Sequence, residues 1–330
     1  MTESKAEPWG PLTIGGETVA PGEQARFDLP VALLPTHTQL HIPLTVLNGR
    51  RAGPRLWVSA AVHGDELNGV EIIARVLDRI GGKLQRGALI AAPIVNVFGF
   101  INGSRYLPDR RDLNRSFPGS SRGSVASRMA HIFLTEIVDH CTHGIDLHTA
   151  GTDRTNYPQT RGDLHDEETR RFALAFGAPL MVHSSLRDGS LRAAARERGI
   201  RVLVYEGGQP LRFDEDAIQV GVRGVLGVMR ELGMTGRRRR VAPQPPTLIE
   251  SSTWVRAKTG GILRLSAKGG QFVAKNQVLG LVSGPFGDEE AIVRAPFDGI
   301  VIGFTQNPVV HGGDAVVHLG RAGPLEAEDV

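Results

Sequence analysis

The chain has 330 residues, which corresponds to about two globular domains. Hydrophobic residues make up 41% of the sequence and charged residues 22%, which excludes a disordered, collagen-like or coiled-coil chain. The formal net charge of +3 is small, and no aromatic residues accompany the basic run 237–240, so we expect no nucleic-acid partner.

The N-terminus and the cysteine content predict where the protein resides. Residues 1–10 include acidic side chains and no apolar core, unlike a secretory signal. No segment has the roughly 18 uninterrupted apolar residues of a membrane-spanning helix, so we expect no membrane partner. The single cysteine, Cys141, excludes an intramolecular disulfide and is typical of a reducing compartment. We therefore expect a cytoplasmic protein.

Strand and helix patterns divide the chain into parts. Residues 12–47 alternate like strands and predict an N-terminal β segment over 1–45. From 46 to 236, apolar strand patterns alternate with helical ones, which is typical of an α/β fold with a mainly parallel central sheet. The strand candidates are 56–62, 88–95, 144–148, 179–182 and 200–205, and the predicted helices are 69–80, 127–138, 166–176, 191–198 and 214–232.

The sequence changes character after residue 236. Residues 237–250 are basic and then rich in proline, which predicts a linker. Residues 251–330 contain short strand patterns separated by glycines. They predict a small all-β C-terminal domain.

A candidate metal site lies at the ends of two predicted strands. His63 and Glu66 follow strand 56–62 and are three residues apart, so their side chains can converge on one ion. His148 ends strand 144–148 and supplies a third ligand. Two imidazoles and a carboxylate form a ligand set of catalytic zinc, which keeps one further position open. The alternative is that each histidine is an ordinary polar loop residue.

Glu206 is the candidate general base. It follows the strand pattern 200–205 and precedes two glycines. The carboxyl ends of such strands are where open α/β sheets bind ligands, and a carboxylate there can accept a proton. The alternative is a carboxylate that caps a helix or loop.

The predicted loop 96–118 has a high density of polar side chains. Arg115 can bind a carboxylate through two hydrogen bonds, and Asn114 beside it adds a donor. Arg105 is a second arginine that can stabilise an oxyanion. The alternative is a solvated charged loop.

Taken together, these motifs resemble the succinylglutamate desuccinylase/aspartoacylase family of the zinc carboxypeptidase superfamily. The resemblance covers residues 43–320, and it implies a mixed eight-stranded sheet flanked by helices, a β-rich C-terminal domain, and hydrolysis of the amide between an acyl group and an amino acid. The matching segments are His63-Gly64-Asp65-Glu66, Arg105-Tyr106, Asp112-Leu113-Asn114-Arg115, Asp146-Leu147-His148 and Glu206-Gly207-Gly208.

The resemblance also implies roles for the reacting groups. His63, Glu66 and His148 correspond to the ligands of one Zn²⁺ per subunit. Glu206 corresponds to the base that deprotonates the water activated by zinc and then protonates the leaving amine. Arg105 corresponds to the residue that stabilises the tetrahedral oxyanion.

Substrate contacts are implied in the same way. Asn114 and Arg115 correspond to the clamp on the substrate carboxylate. Arg154, Asn156 and Arg161 are implied to line the site from a loop.

Two acidic residues compete for one supporting role. Asp112 is expected to orient His63, because imidazoles that bind metals usually donate their other nitrogen to a carboxylate. Asp146, on the same strand face as His148, is the rival for that role.

Two features modify these expectations. The peptidases of the superfamily use a tyrosine late in the catalytic domain, and Tyr157 and Tyr205 have no obvious match to it, which disfavours peptidase activity.

Residues 269–279 and 295–299 resemble a barrel-sandwich domain of the biotinyl/lipoyl type. Carrier domains of this type usually present a modified lysine beside a methionine, and no methionine lies beyond residue 241, so we expect no lysine modification. We expect this domain to wall or gate the site, or to mediate contacts in a homo-oligomer.

These patterns lead to one functional hypothesis with two alternatives. The hypothesis is a zinc-dependent deacylase of a small anionic N-acyl amino acid, with an overall layout most similar to deacylases of N-acetylated diamino acids. The first alternative is a metallocarboxypeptidase that acts on short peptides. The second is a non-catalytic protein that binds zinc or carboxylates, which does not require a base such as Glu206.

Overall fold

The computed structural model of the protein describes residues 9–236, 245–287 and 291–323. The strands of the first stretch are β1 Leu12–Ile14, β2 Glu17–Val19, β3 Gln24–Leu33, β4 Gln39–Asn48, β5 Arg51–Ala60, β6 Arg86–Ala92, β7 His143–His148, β8 Arg154–Gly162, β9 Leu180–His183 and β10 Arg201–Gly208. Its helices are α1 Asn68–Ile80, α2 Val97–Asn102, α3 Val125–Glu136, α4 Glu167–Phe176, α5 Leu191–Glu197 and α6 Glu215–Glu231. The remaining strands are β11 Thr247–Arg256, β12 Gly261–Leu265, β13 Phe272–Val273, β14 Val278–Ser283, β15 Ala291–Arg294, β16 Gly299–Thr305, β17 Val309–Val310 and β18 Ala315–Ala322.

Eight strands of the first stretch form a mixed central sheet in the order β3-β4-β6-β5-β7-β10-β8-β9. Strands β6, β5, β7 and β10 are parallel to their neighbours in this run. Strands β3 and β4 are antiparallel at one edge, and β8 is antiparallel to β10. The mixed sheet expected from the family resemblance is therefore present, and the sheet is mainly parallel only at its centre.

Helices cover both faces of this sheet because its central strands are apolar on both sides. On one face α3, α5 and the β1–β2 hairpin pack around Trp57 and Phe133. On the other face α1, α4 and α6 pack around Phe176 and Tyr205, whose rings stack with centroids 5.0 Å apart. Burial of each such side chain contributes on the order of 1.5–3 kcal/mol, so the sheet is a firm base for the strand ends.

The central sheet continues into the C-terminal strands and closes on itself. Strand β11 is parallel to β9, β18 pairs with β11, β16 pairs with β18, and β16 also pairs with β8. Strands β8, β9, β11, β18 and β16 therefore form a closed ring, which we call the junction ring. Leu180, Val182, Ile249 and Ile302 form an apolar cluster among its strands. Backbone hydrogen bonds thus join the two predicted domains on both sides of the ring.

The rest of the C-terminal part is also built from strands. Strands β15, β14, β12 and β17 form a second sheet in that order, and β13 pairs with β16. Apolar side chains from both sheets form one core, including Leu263, Val282, Val301 and Leu319. Among residues 245–287 and 291–323 no helix occurs, in line with the expected all-β character.

Two local predictions were wrong. The segment with Arg154, Asn156 and Arg161 was expected to be a loop, but it forms strand β8. Its proline and charged residues hide the strand pattern, and pairing with distant strands decides its conformation. The predicted loop 96–118 contains helix α2, which is capped by the side chain of Asn96.

The proposed domain limits can be compared with the elements. Strand β4 crosses the limit at residue 45 and lies in the central sheet. Strand β11 begins at Thr247, inside the predicted linker 237–250, of which residues 237–244 lie outside the described residues. In the part of the chain that the structure describes, no helix is long and apolar enough to cross a membrane.

The junction ring can be tested at Gly303, where β16 meets β8. A Cβ atom on this residue would lie 2.4 Å from Asn156 Oδ1 and 2.6 Å from the carbonyl oxygen of Thr155. We expect Gly303→Ala to lower the free energy of unfolding by about 1–3 kcal/mol, measured by urea denaturation. Gly312→Ala is the control, because its Cβ would have no neighbour closer than 3.6 Å. Equal stability of the two variants would contradict the closed ring.

Candidate metal centre and pocket

The candidate site lies at the carboxyl ends of neighbouring parallel strands. His148 is the last residue of β7, and Glu206 of β10 is its direct partner in register. His63 and Glu66 lie in the turn between β5 and α1, and β5 pairs with the other edge of β7. Because parallel strands end at the same edge of a sheet, three segments distant in sequence meet at this edge.

The turn that carries His63 and Glu66 requires a glycine. A Cβ atom on Gly64 would lie 2.0 Å from the carbonyl carbon of Gly99 and 2.1 Å from the backbone nitrogen of Phe100. Residue 64 therefore packs directly against the backbone of α2. This close contact fixes the turn and holds both side chains toward β7.

Three buried side chains converge on one point. Glu66 Oε1 lies 2.7 Å from His63 Nδ1, and Glu66 Oε2 lies 2.8 Å from His148 Nδ1. The two Nδ1 atoms are 3.2 Å apart, and a candidate ligand atom from each residue lies within 4.8 Å of the others. Among the described residues, no second group of three such side chains shares a point in this way.

The other nitrogen of each imidazole faces its own carboxylate. His63 Nε2 lies 3.2 Å from Asp112 Oδ1, and His148 Nε2 lies 2.7 Å from Asp146 Oδ2. Asp146 also accepts a 2.8 Å hydrogen bond from the Ser59 hydroxyl. The two acids are therefore not rivals for His63, because Asp146 contacts His148 instead. A carboxylate at Nε2 favours the tautomer that leaves the Nδ1 lone pair free for a metal.

The geometry of these donors fits a zinc ion. Donor atoms at about 2.0–2.1 Å from a tetrahedral zinc lie roughly 3.3 Å from each other, and histidine nitrogens with a carboxylate oxygen are typical zinc ligands. The 3.2 Å separation of the two Nδ1 atoms agrees with this spacing. Two imidazole lone pairs that face each other beside a buried carboxylate are unfavourable unless a cation lies between them.

The charges around this point also favour a cation. Burial opposes ionisation of Glu66, but the imidazoles of His63 and His148 outweigh it and hold the pKa of this carboxyl far below its usual range. Burial lowers the pKa of His148, whereas the carboxylates of Asp146 and Glu66 raise it more, so its net pKa lies well above the ordinary value. Without a metal, the site therefore attracts protons, which a bound metal displaces.

Arg105 bridges two of these acids at the edge of the pocket. It donates to Asp112 Oδ2 from Nη2 at 2.8 Å, and its Nη1 lies 3.3 Å from Glu66 Oε1. About a fifth of its side chain is exposed to the pocket. The guanidinium is thus held next to the ligand cluster, where the expected oxyanion contact requires it.

Glu206 faces the same pocket and is held by β8. Its Oε2 accepts a 2.7 Å hydrogen bond from Asn156 Nδ2 and lies 3.7 Å from Arg161 Nε. About 21% of the Glu206 side chain is exposed, so the carboxylate remains accessible. The helix- or loop-capping alternative is not supported by these contacts, since both partners are side chains of the pocket.

The expected substrate contacts also line this pocket. Asn114 lines the pocket, and its side-chain oxygen accepts a 2.9 Å hydrogen bond from the Leu191 backbone N–H. Arg115 is exposed and forms no ion pair among the described residues. Arg154 and Arg161 line the pocket from strand β8, rather than from the predicted loop.

Sequence reasoning did not identify part of the pocket wall. The cavity has a volume of about 850 Å³, and it is bounded by side chains from both predicted domains. His318 lines it as well. The other residues that were not predicted include Thr149, Ser184, Arg187, Arg192, Ser252 and Trp254. An isolated tryptophan in a β-rich segment was the only sequence signal for this wall.

The fold and the site define an α/β protein with a buried candidate metal centre of two histidines and one carboxylate. The family described as the succinylglutamate desuccinylase/aspartoacylase catalytic domain matches residues 52–232, more than half of the chain. The protein therefore belongs to the succinylglutamate desuccinylase/aspartoacylase family, and the resemblance predicted from the motifs is confirmed.

Three known proteins illustrate the similarity. The N-alpha-acetyl-L-2,4-diaminobutyric acid deacetylase of Halomonas elongata is 27% identical over 293 residues, covering 85% of both chains. The succinylglutamate desuccinylase of Pseudomonas aeruginosa is 25% identical over 220 residues, which are 60% of this chain and 61% of that one. A crystal structure of succinylglutamate desuccinylase/aspartoacylase from Rhodobacter sphaeroides has a TM-score of 0.81 and 26% identity, over 92% of this chain and 96% of that one.

The metal centre predicts a graded loss of zinc affinity. We expect His63→Ala to abolish stoichiometric zinc binding, because a buried ligand is removed. We expect Asp146→Asn to weaken binding by about 10–100-fold, because the His148 imidazole loses its carboxylate partner. His311→Ala is the control, since this histidine is exposed and does not line the pocket. Elemental analysis and calorimetry measure both effects, and unchanged affinity in Asp146→Asn would contradict the role of that carboxylate.

Proposed function

We propose that the protein is a zinc-dependent hydrolase that cleaves the amide bond of an N-acyl amino acid. The observation that supports this most directly is the shared pocket of the ligand cluster His63, Glu66 and His148, the carboxylate of Glu206 and the guanidinium of Arg105. A binding protein has no need of an accessible carboxylate beside the metal ligands. The names of the relatives, which describe deacylases of N-acyl amino acids, agree with this reaction.

Zinc and the protein contribute different parts of the chemistry. The three ligands would hold one zinc ion per subunit, which would supply a Lewis acid for the amide carbonyl and lower the pKa of a water molecule. Glu206 accepts a proton from the attacking water and transfers it to the leaving amine nitrogen. Asn156 orients the Glu206 carboxylate through its 2.7 Å hydrogen bond. Arg105 stabilises the negative charge that develops on the carbonyl oxygen.

The substrate is held by the neighbouring arginine and amide groups. Arg115 binds the carboxylate of the amino acid part of the substrate, and Asn114, anchored to the Leu191 backbone, supports it. The proposed substrate is therefore a small anionic N-acyl amino acid. The similarity to the diaminobutyrate derivative deacetylase favours an N-acetylated diamino acid as a first candidate.

A metallocarboxypeptidase acting on short peptides is the second candidate. It shares the ligand set, but the late tyrosine of such peptidases has no match. Tyr205 is fully buried and donates a 2.7 Å hydrogen bond to the carbonyl oxygen of Ala217, so it does not reach the pocket. This observation favours the deacylase over the peptidase.

Other parts of the hypothesis stay predictions. They are a cytoplasmic location, a homo-oligomeric state, and a C-terminal barrel-sandwich domain that carries no lysine modification. The role of Arg154 and Arg161 in substrate binding is also a prediction.

Removal of the proposed base tests the mechanism. We expect Glu206→Gln to lower kcat for N-acyl amino acids by about 10²–10⁴-fold, because the amide cannot accept the proton. Zinc content, measured by elemental analysis, should stay the same, since Glu206 is not a ligand. Glu231→Gln, on the exposed end of α6, is the control. Full activity of Glu206→Gln would exclude Glu206 from the reaction.

A substrate comparison after metal removal tests the reaction class. We expect a chelator to abolish hydrolysis and zinc to restore it, because the three ligands position no other electrophile. The zinc-loaded protein should then hydrolyse N-acetyl amino acids faster than dipeptides, as measured by amine release. Faster cleavage of dipeptides would favour the peptidase.

A further inference from the structure

The segment that contains and follows the end of β10 is bonded to both turns that hold or follow the metal ligands. Residues 207–214, which we call the base loop, run from the last two residues of β10 to the residue before α6. The Gly208 carbonyl oxygen accepts a 3.2 Å hydrogen bond from the backbone N–H of Ala150, in the turn after β7. The Leu211 N–H donates a 2.8 Å hydrogen bond to the carbonyl oxygen of Asp65, in the turn after β5. The base loop is therefore tied to the chain beside each group of metal ligands.

Asn68 connects both ends of the base loop to helix α1. It is the first residue of this helix, lies two positions after Glu66, and is fully buried. Its Nδ2 donates a 3.0 Å hydrogen bond to the Gly207 carbonyl oxygen, and its Oδ1 accepts a 3.0 Å hydrogen bond from the Asp214 backbone N–H. An amide has both a donor and an acceptor, so this one side chain satisfies a buried carbonyl and a backbone N–H of the same loop.

The second glycine after the proposed base leaves space for this amide. A Cβ atom on Gly208 would lie 2.5 Å from Asn68 Nδ2 and 2.9 Å from Asp214 Cβ. The φ angle of Gly208 is +78°, in a region that residues with a side chain rarely adopt. A glycine at position 208 therefore allows the base loop to approach Asn68 closely.

Strand pairing alone does not fix the backbone beyond Glu206. This residue is the last one of β10 in register with β7, where its partner is His148. The register with β8 shifts between Glu206 and Gly208, so Gly207 has no register partner in either neighbouring strand. Such irregularities change the direction of nearby side chains. The hydrogen bond from Asn68 holds the Gly207 carbonyl group at this irregular position.

We propose that Asn68 is a positioning residue for the hydrolysis, because its buried amide joins the peptide after Glu206 to the helix after Glu66 and so holds the base at a fixed distance from the metal ligands. This inference rests on the proposed deacylase function. Asn68 does not line the pocket, so it acts through the backbone of the base loop and not on the substrate. Its effect on the rate follows from geometry, since a displacement of about 1 Å can lower a rate by about 100-fold.

Two substitutions of Asn68 in the zinc-loaded protein test this role. Asn68→Ala removes both hydrogen bonds, whereas Asn68→Asp keeps an acceptor for the Asp214 N–H and loses only the donor to Gly207. We expect each variant to lower kcat for N-acetyl amino acids by about 10–100-fold, with KM within about twofold of the wild type. Zinc content should stay the same. Wild-type kcat in Asn68→Asp would overturn the proposal, because the bond to Gly207 would then be dispensable.

The matched control is Asn48→Ala. Asn48 is also buried, at 1% exposure, and its Nδ2 donates to the carbonyl oxygens of Val19 at 2.9 Å and Gly10 at 3.1 Å. It ends strand β4 and does not line the pocket. We expect this variant to lose stability toward urea as Asn68→Ala does, and to keep the wild-type kcat. An equal fall of kcat in both variants would overturn the proposal, because the loss would then reflect folding alone.

A measurement without substrate separates this proposal from the proposed function. Hydrogen exchange followed by mass spectrometry reports how readily the base loop opens, and we expect about tenfold faster exchange over residues 207–214 in Asn68→Ala. Asn48→Ala should exchange like the wild type over the same residues. If this difference is found but the wild type hydrolyses no N-acyl amino acid, the role of Asn68 in holding the loop is supported and the deacylase function fails. If hydrolysis occurs but exchange of the loop is the same in all variants, the deacylase stands and the proposal is rejected.

Discussion

The separation of 3.2 Å between two buried imidazole nitrogens is the constraint on which the site depends. With a metal bound, both nitrogens would direct electron pairs toward one ion shared with Glu66, and acids behind His63 and His148 keep the rings in that orientation. Without a cation this arrangement is energetically unfavourable, because nothing compensates the buried charge of the Glu66 carboxylate or the imidazole dipoles that point in the same direction. The fold maintains it through strand register and through the packing of Gly64 on α2, so the polypeptide is organised for a ligand that it does not itself supply.

The parts of this site that could be predicted from sequence share one property. His63, Glu66 and Glu206 come shortly after apolar strand patterns and His148 ends one, so a local signal identified each element, and parallel pairing then brought the strand ends together. The helix limits were also well predicted, because apolar periodicity and capping residues are local; α1 and α6 begin and end within a residue of the expected limits. Only the assignment of Asp146 required the structure, since the choice of imidazole depends on side-chain direction.

The parts that could not be predicted depend on pairing between distant strands. Strand β8 carries Gln159 and Thr160 at buried positions, so its pattern is that of a polar loop, and only pairing with β9, β10 and β16 makes it a strand. Trp254 and His318 reach the pocket because β11 continues the central sheet. A sequence motif with fixed spacing cannot predict contacts between residues that belong to different domains. Trp254 and His318 line the pocket only because the junction ring closes.

The junction ring has a consequence for movement. Two domains that are linked by a single hinge can open and close around a ligand. Here the two predicted domains share backbone hydrogen bonds at two places, β9 with β11 and β8 with β16, so a rigid-body rotation would have to break one of these pairings. Ligand entry therefore cannot rely on a hinge between these two parts of the chain. For the same reason, deletion of the C-terminal domain would leave backbone groups of β8 and β9 without hydrogen-bond partners, and these exposed strand edges would be prone to association with other chains.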